Sequence, residues 1–212
     1  MPNYFWYTVI SLLSTLLFTY TFLKVRDKHL VGVYFFIAGG TYAFEYIILV
    51  LFDSYVYHPG FLKDPYFDSI AGAVVSDAFS VPMCATFAAA FRLKFKVRFL
   101  IMMILVGIEV LFSHLKIYQH HWWRYEYTAM GILFALWASQ KWFHMLEHSM
   151  KPIIRFVTLF LTEIFLQASL IFIVRGIFYQ FFFQIGWFQN PTRDHVAFST
   201  AYLALVGLLI VF

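Results

Sequence analysis

One apolar stretch, residues 69–91, constrains the fold of this chain more than any other feature. It holds 23 residues, and its single charged side chain is Asp77. At about 1.5 Å of rise per residue, a helix of this length spans the hydrocarbon core of a bilayer. Small residues recur every fourth position on one face, where a second helix can approach closely; they are Gly72, Ser76, Ser80, Cys84 and Ala88. We therefore predict a central membrane-spanning helix.

Pro82 interrupts this predicted helix about one turn after Asp77. Proline has no N–H to donate to the carbonyl of Ala78, so the helix is predicted to kink there. The kink places a polar side chain and an unpaired carbonyl close together inside the membrane. This position is the first candidate for a site.

Six further apolar stretches accompany it. The chain of 212 residues is 62% hydrophobic and only 12% charged, whereas soluble domains carry roughly 25% charged residues. We predict an all-α polytopic integral membrane protein, a single domain over residues 1–212 and a bundle of seven transmembrane helices. The predicted helices are 4–23, 30–52, 69–91, 99–115, 125–143, 156–174 and 196–212. The aromatic segment 175–195 fits either a loop or a re-entrant helix.

The basic residues predict the orientation of the bundle. The six connections carry, in order, 3, 1, 4, 2, 3 and 2 Lys or Arg residues, so alternate connections total 10 on one side and 5 on the other. The positive-inside rule then places the N-terminus outside and the C-terminus in the cytoplasm. Because the bilayer accounts for these charges, they do not indicate a nucleic-acid partner. The single Cys84 excludes an internal disulfide.

Four acids lie within the predicted spans. Counting along each helix places Glu45, Asp77 and Glu109 in the middle or outer half of the membrane, and Glu163 nearer the centre or inner half. Carboxylates at membrane depth usually face the bundle interior or water and mark ion or substrate sites. We predict a proton, cation or substrate site. The alternative is that each acid is protonated or hydrogen-bonded and only fixes helix packing.

Histidines offer a second candidate site. His114, His120 and His121 are predicted on the outer side, where they could bind zinc or iron together with Glu109 or Asp77. The alternative is a set of interfacial histidines within an aromatic belt. No other observation in the sequence favours the metal site.

A third pattern, His144 to His148, has the H-x-x-E-H spacing of inverted zincins. It lies at a predicted helix end in a basic segment and has no evident third ligand. The alternative is a helix end whose cationic side chains suit the helix dipole.

Two further pairs concern packing. Glu163 and Gln167 are one turn apart and are predicted to bond to each other or to a neighbouring helix. The pair Gly39–Gly40 is predicted to be a close crossing point with helix 69–91.

Three short pieces between Leu30 and Trp142 resemble a known family. They are the loop YHPGFLKDPYF, Asp77 followed five residues later by Pro82, and Glu109 followed by Tyr118 and the pair Trp122–Trp123. In these pieces the chain resembles an uncharacterised family of small multi-pass membrane proteins of spore-forming Firmicutes. The family has no established activity, so the resemblance implies a bacterial plasma membrane and no catalytic residue.

The function is predicted mainly from the kind of binding site that the four intramembrane acids could form. The sequence contains no nucleophile elbow, phosphate-binding loop or dinucleotide motif. We predict a protein that binds or transports a small molecule, cation or proton through a polar intramembrane pocket. The alternatives are a membrane-embedded metalloenzyme acting on a lipid or apolar substrate, and a structural or partner-binding subunit of an oligomer. Seven helices also match the layout of three-plus-one-plus-three sugar transporters, without their Pro-Gln or Pro-Asn pairs.

Overall fold

The computed structural model describes residues 2–148, 151–178 and 183–211. These residues fold into seven helical rods, which confirms the all-helical prediction. The rods are α1 (Asn3–Val25), α2 (His29–Leu51), α3 (Pro65–Ala90), α4 (Phe95–His114), α5 (Tyr125–His148), α6 (Pro152–Ile177) and α7 (Pro191–Val211). Five of them, α1, α2, α3, α6 and α7, are long and apolar enough to cross a membrane. The fold is therefore compatible with a multi-pass membrane protein.

Several helices begin earlier than hydropathy predicted. The starts predicted at 69, 99, 156 and 196 lie four or five residues too late. At α3 the cause is a capping sequence, because the Asp64 side chain accepts the N–H groups of Tyr66 and Phe67 while Pro65 opens the helix. The end of α5 predicted at 143 was also wrong, since the polar residues up to His148 form its last turn.

Segments of π-helix, six residues each, occur in three of these rods. They are Tyr46–Leu51 at the end of α2, Val75–Ser80 within α3 and Phe172–Ile177 at the end of α6. The segment in α3 directly precedes the helical turn that contains Pro82. Such segments mark distortions of the regular hydrogen-bond ladder. The kink predicted beside Asp77 stays a prediction, and the hydrogen-bond ladder at this position is distorted into a π-helical segment.

The irregular part of α3 is held by side chains of α2. The Tyr34 hydroxyl donates to the carbonyl of Ala78 over 2.9 Å, which supplies the partner that Pro82 cannot. One residue earlier, the Thr41 hydroxyl donates to the carbonyl of Asp77 over 3.0 Å. The backbone around the acid is thus fixed by its neighbouring helix.

α3 is the central helix, as predicted. It is the most buried of the five long apolar helices and contacts α1, α2 and α5. Two residues of its small-residue face make close contacts: a Cβ at Gly72 would overlap the side chain of Tyr57 in the α2–α3 connection, and the carbonyl of Ala88 accepts the Gln140 amide of α5 over 2.9 Å.

The predicted crossing of Gly39 with α3 was wrong. Gly39 instead meets the backbone of Leu161 in α6, so closely that a Cβ would overlap the Leu161 carbonyl oxygen. The small-residue pattern correctly indicated a close approach, but nothing in a single helix sequence identifies which neighbour makes it. Gly40 has no neighbouring atom where its Cβ would lie.

Two of the predicted loops pair as a short antiparallel ribbon. Strand β1 (Tyr55–Tyr57) runs against β2 (Tyr118–His120), with Val56 opposite Gln119. The ribbon joins the α2–α3 connection to the α4–α5 connection at one end of the bundle.

Hydrogen bonds near the helix ends show at which end of the bundle each connection lies. The Asn3 amide reaches the His58 carbonyl at 2.8 Å, and the Arg193 guanidinium reaches the Val50 carbonyl at 2.8 Å. These contacts place the start of α1 and the α6–α7 connection at the ribbon end. At the other end, Arg92 after α3 binds Glu147 at the end of α5. Successive connections therefore lie at opposite ends of the bundle.

One local structure occurs twice in the chain, 126 residues apart. The sequences GFLKDPYFD from Gly60 and GWFQNPTRD from Gly186 share their glycine, their Asx-Pro step and their final aspartate. Both glycines have positive φ, 76° and 89°, which L side chains rarely adopt. In each copy a π-helical segment ends 14 residues before the proline that opens the next helix.

The hydrogen bonds of the two copies correspond as well. The Asp68 carboxylate accepts three N–H groups of residues 60–62, and the Asp194 carboxylate accepts four of residues 185–188. Asn190 caps α7 as Asp64 caps α3. The units α1–α3 and α5–α7 thus share their order of helices and π-helical segments, with α4 between them, and the first unit also contains β1. Within 175–195, the described residues 183–190 are not helical, and residues 179–182 lie outside the described part.

Candidate functional site

A cavity of about 450 Å³ lies inside the bundle next to the ribbon. Residues of α1 to α5, of both strands and of α6 line it. Three of the four acids singled out in the sequence border it: Glu45 from α2, Asp77 from α3 and Glu109 from α4. The acids that were predicted at one membrane level thus share one cavity in the structure.

Glu45 is held by a tyrosine of the ribbon. It is the last residue of α2 before the π-helical segment, and the Tyr55 hydroxyl donates to its Oε2 over 2.5 Å. Burial and the nearby Glu45 carboxylate raise the pKa of Tyr55 well above 10, so the phenol stays protonated and acts as a donor. The other oxygen, Oε1, is buried and has no hydrogen-bond partner among the described residues.

Asp77 sits in the π-helical segment of α3 and is only 7% exposed. Together with Glu45 it also lines a second, smaller cavity of about 70 Å³ between α2, α3, α6 and α7. The two acids therefore stand between a large cavity and a small one, and the hydrogen bond from Thr41 to the Asp77 carbonyl fixes the backbone there.

Glu109 is held from the opposite side. Its Oε1 lies 2.7 Å from Nε2 of His120 and accepts the Thr128 hydroxyl over 3.1 Å. The Trp123 indole N–H in turn donates to that hydroxyl over 2.8 Å. Oε2 of Glu109 is buried without a partner in the described part of the chain. Burial, followed by the Glu109 carboxylate, raises the pKa of Tyr118 far above its usual value, so this phenol also stays neutral.

The remaining lining is mostly aromatic and apolar, with the Ser and Thr residues Thr41, Ser76, Ser80 and Thr128. Ten aromatic side chains border the cavity: Tyr7, Phe36, Phe44, Tyr55, Tyr57, Phe112, Tyr118, Trp123, Tyr127 and Phe134. Among the described residues that line it there is no Lys, Arg or His. The formal charges at the cavity wall are therefore all acidic.

The cavity reaches the lateral surface of the bundle between α2 and α5. Phe44 of α2 and Phe134 of α5 line the cavity and are 49% and 65% exposed. Gly131, one turn before Phe134, also lines it and is exposed. Since these residues lie well inside their helices, the mouth opens on the side of the bundle and not at its end.

Glu163, the fourth predicted acid, does not line this cavity. Its Oε1 accepts the Gln167 amide, as the one-turn spacing predicted. Its side chain packs where α7 passes, because a Cβ at Gly207 would come within 3.2 Å of the Glu163 Cγ. This acid belongs to the contact between α6 and α7.

The predicted outer metal ligands are not brought together. His120 bonds Glu109, but His121 turns to the Asp53 carbonyl at 2.8 Å, and His114 is exposed at the end of α4. Consecutive residues of an extended segment point to opposite sides, which separates His120 from His121. These residues form no group of three converging ligands within the described ranges.

The cluster at the other end of the bundle does converge. Ligand atoms of His144, Glu147 and His148 lie within 4.8 Å of one another, the one such group in residues 2–148, 151–178 and 183–211. However, Arg92 donates to both carboxylate oxygens of Glu147, at 3.0 and 3.1 Å, and Nδ1 of His148 pairs with the His144 carbonyl. The contacts favour the helix-end interpretation.

No family model, curated protein or solved structure matches this chain. The resemblance to the Firmicutes family stays a prediction, and the function has to be argued from the cavity.

Sequence reasoning missed the groups that hold the acids. Tyr55 and Thr128 were not singled out, although they bond directly to Glu45 and Glu109, and Tyr118 was named only as part of the family resemblance. The run Tyr55-Val56-Tyr57, made of aromatic and β-branched residues, is a strand signal that could have indicated a ribbon here. Its partner strand is 63 residues away from Tyr55 at Tyr118, beyond the reach of a local pattern.

Proposed function

We propose that this chain is a multi-pass membrane protein that binds or transports a small molecule, cation or proton in the cavity bordered by Glu45, Asp77 and Glu109. The observation that carries the proposal is the convergence of three acids from three helices on one cavity. A carboxylate at membrane depth costs about 2.5–3.5 kcal/mol on insertion scales. Helix packing alone would favour pairing such acids with donors, yet an oxygen of Glu45 and one of Glu109 are buried without a partner in the described chain.

The proposal includes seven membrane crossings, with the N-terminus outside and the C-terminus in the cytoplasm of a bacterial plasma membrane. Two observations support the count and the orientation. Successive connections lie at opposite ends of the bundle, and the more basic set, with 10 Lys or Arg against 5, marks the cytoplasmic end. The cavity and the ribbon then lie towards the outside.

The repeated units favour transport over binding alone. In transporters built from parallel repeats, substrate sites lie near the midplane at the interface between the repeats. Here α1–α3 and α5–α7 share their order of helices and π-helical segments, and residues of both units line the cavity. The metalloenzyme alternative has less support, because its predicted histidines do not converge.

A ligand screen tests the proposal. Purified protein is heated with sodium, potassium, calcium, small organic cations and neutral molecules of similar size, at several pH values. A ligand of the cavity should stabilise the protein by RT ln(1 + [L]/Kd). We expect at least one ligand, or a proton, to stabilise the wild type more than Asp77→Asn.

The matched control is Glu163→Gln, which neutralises an acid of α6 outside the cavity. It should respond to ligands as the wild type does. A screen in which no ligand and no pH value distinguishes Asp77→Asn from Glu163→Gln would leave the acids as packing residues and favour a structural subunit.

A further inference from the structure

We infer that the ligand of this cavity is a lipophilic organic cation, a charged nitrogen or phosphorus on an apolar body, which enters from the bilayer between α2 and α5. This inference rests on the proposed function and narrows it to one chemical class. Charge, lining and access support it separately.

The charge of the wall selects a cation. Glu45, Asp77 and Glu109 border the cavity, and no basic side chain lines it within the described residues. The phenols of Tyr55 and Tyr118 stay protonated, so they add no negative charge. His120 can balance Glu109, since its Nε2 lies 2.7 Å from that carboxylate, whereas Glu45 and Asp77 have no ion-pair partner among the described residues. A single ionised carboxylate in such surroundings attracts a cation strongly, because the low dielectric weakens screening.

The lining selects an apolar body around that charge. Ten aromatic side chains surround the acids, and aromatic faces attract cations, most strongly when desolvated. A small hydrated metal ion would instead need several oxygen ligands at short distance, whereas apolar and aromatic side chains make up most of this lining, in which Thr41, Ser76, Ser80 and Thr128 are the Ser and Thr residues. The volume of about 450 Å³ lies in the range of about 300–1,000 Å³ typical of sites for small organic molecules.

The lateral mouth gives such a compound a path. Gly131 lies six residues into α5, about 9 Å along the helix axis from its start. Exposed Phe44 and Phe134 flank it, so the opening faces lipid and not bulk water. Compounds with an apolar body concentrate in the bilayer and can reach the cavity from there.

Two ions of nearly the same size and shape but opposite charge test the inference. Equilibrium dialysis of the purified full-length protein is carried out with tetraphenylphosphonium and with tetraphenylborate. We expect the phosphonium to bind at about one per chain and the borate to bind at least about tenfold more weakly. Asp77→Asn should weaken phosphonium binding by about tenfold or more, which corresponds to about 1.4 kcal/mol, and Glu163→Gln should not.

Further variants keep the test decisive. If Asp77→Asn fails to fold, as judged by gel filtration, Glu109→Gln takes its place. Gly131→Trp should slow phosphonium binding, because the indole ring would narrow the mouth. The substitution should not disturb the fold, because no atom lies within 4 Å of the Gly131 Cβ position. Gly107→Trp is the matched control, because it has the same free space on α4 but does not line the cavity. Equal rates in the two tryptophan variants would overturn the lateral path.

The outcomes separate this inference from the proposed function. If both ions bind equally, or if phosphonium binding ignores the acids, the cavity binds small molecules and the cationic class is wrong. If neither ion binds but the ligand screen finds another ligand that depends on Asp77, only the class is wrong. If neither ion binds and the ligand screen finds no ligand that depends on Asp77, both the cationic class and the proposed function are wrong.

Discussion

Asp68 and Asp194, which are 126 residues apart, make equivalent hydrogen bonds to the backbone of the connection before their helix. Each carboxylate gathers the backbone N–H groups of the connection that precedes its helix, three for Asp68 and four for Asp194. Both aspartates are buried. One side chain therefore organises the connection in each repeat.

Replacing either aspartate by asparagine should destabilise the protein. Asparagine keeps one acceptor oxygen but presents an NH₂ group to N–H donors, and hydrogen bonds to charged groups contribute about 1.5–3 kcal/mol each. We expect Asp68→Asn and Asp194→Asn each to lower the melting temperature in detergent by several degrees. Asp53→Asn is the control, since Asp53 is half exposed and its backbone, at φ 51°, also suits asparagine. Melting temperatures equal to that of the control would contradict the role of these carboxylates.

The contact of Gly39 with Leu161 gives a second prediction. Gly39→Ala should push α2 from α6 and destabilise the fold by about 1–3 kcal/mol, as other overpacked sites do. Gly40→Ala, at the adjacent position with free space, should be neutral or slightly stabilising. Thermal unfolding of both variants measures the difference, and equal stabilities would show that the helices are not in backbone contact at Gly39.

The bond from Tyr34 to the Ala78 carbonyl can be tested by a double-mutant cycle. Tyr34→Phe leaves this carbonyl without its donor and should cost about 1–3 kcal/mol. Pro82→Ala restores a backbone N–H that can serve the same carbonyl, so Tyr34→Phe should cost less in that background. Additive effects of the two substitutions would mean that the hydroxyl does not replace the missing N–H.

Much of the fold could be predicted from the sequence, because hydropathy and helix length are local properties. The all-helical architecture and the central position of residues 69–91 followed from them. The helix starts at Pro65, Pro152 and Pro191 were missed, since they depend on proline and capping side chains and not on hydropathy. The partner of Gly39 could not be predicted, because the sequence of one helix face does not identify the helix that packs against it.

The sequence predicted the acids of the candidate site but not the side chains that bond to them. Counting residues along helices placed Glu45, Asp77 and Glu109 at similar depth, which is geometry that a helix fixes. Glu163, which the count placed nearer the centre or inner half, was also predicted as a site residue, because the count does not reveal the side of the bundle that a side chain faces. The repeat was overlooked, although GFLKDPYFD and GWFQNPTRD share the order Gly, Asx-Pro and Asp.

Cysteine labelling tests the seven crossings. In a Cys84→Ser background, the exposed residues Lys28, Lys63, Lys96 and Arg124 are replaced singly by cysteine. In intact cells a membrane-impermeant maleimide should label positions 63 and 124 only, and positions 28 and 96 should react after permeabilisation. Arg124 decides the count, because it faces outside only if α4 crosses the membrane. Protection of position 124 in intact cells would reduce the count to five.

The central claim is that the acids make this cavity a site for cations, and the reactivity of a cysteine beside Asp77 tests it most directly. Ser76 lines the cavity, so Ser76→Cys in a Cys84→Ser background reports on it. Its rates with trimethylammonium-ethyl and sulfonato-ethyl methanethiosulfonate are each divided by the rate of the same reagent with free 2-mercaptoethanol. We expect the corrected ratio to favour the cation by about tenfold or more, and to fall towards one when Asp77→Asn is added but not when Glu163→Gln is added. A corrected ratio near one in the parent variant, or one that Asp77→Asn leaves unchanged, would contradict a cation site at these acids.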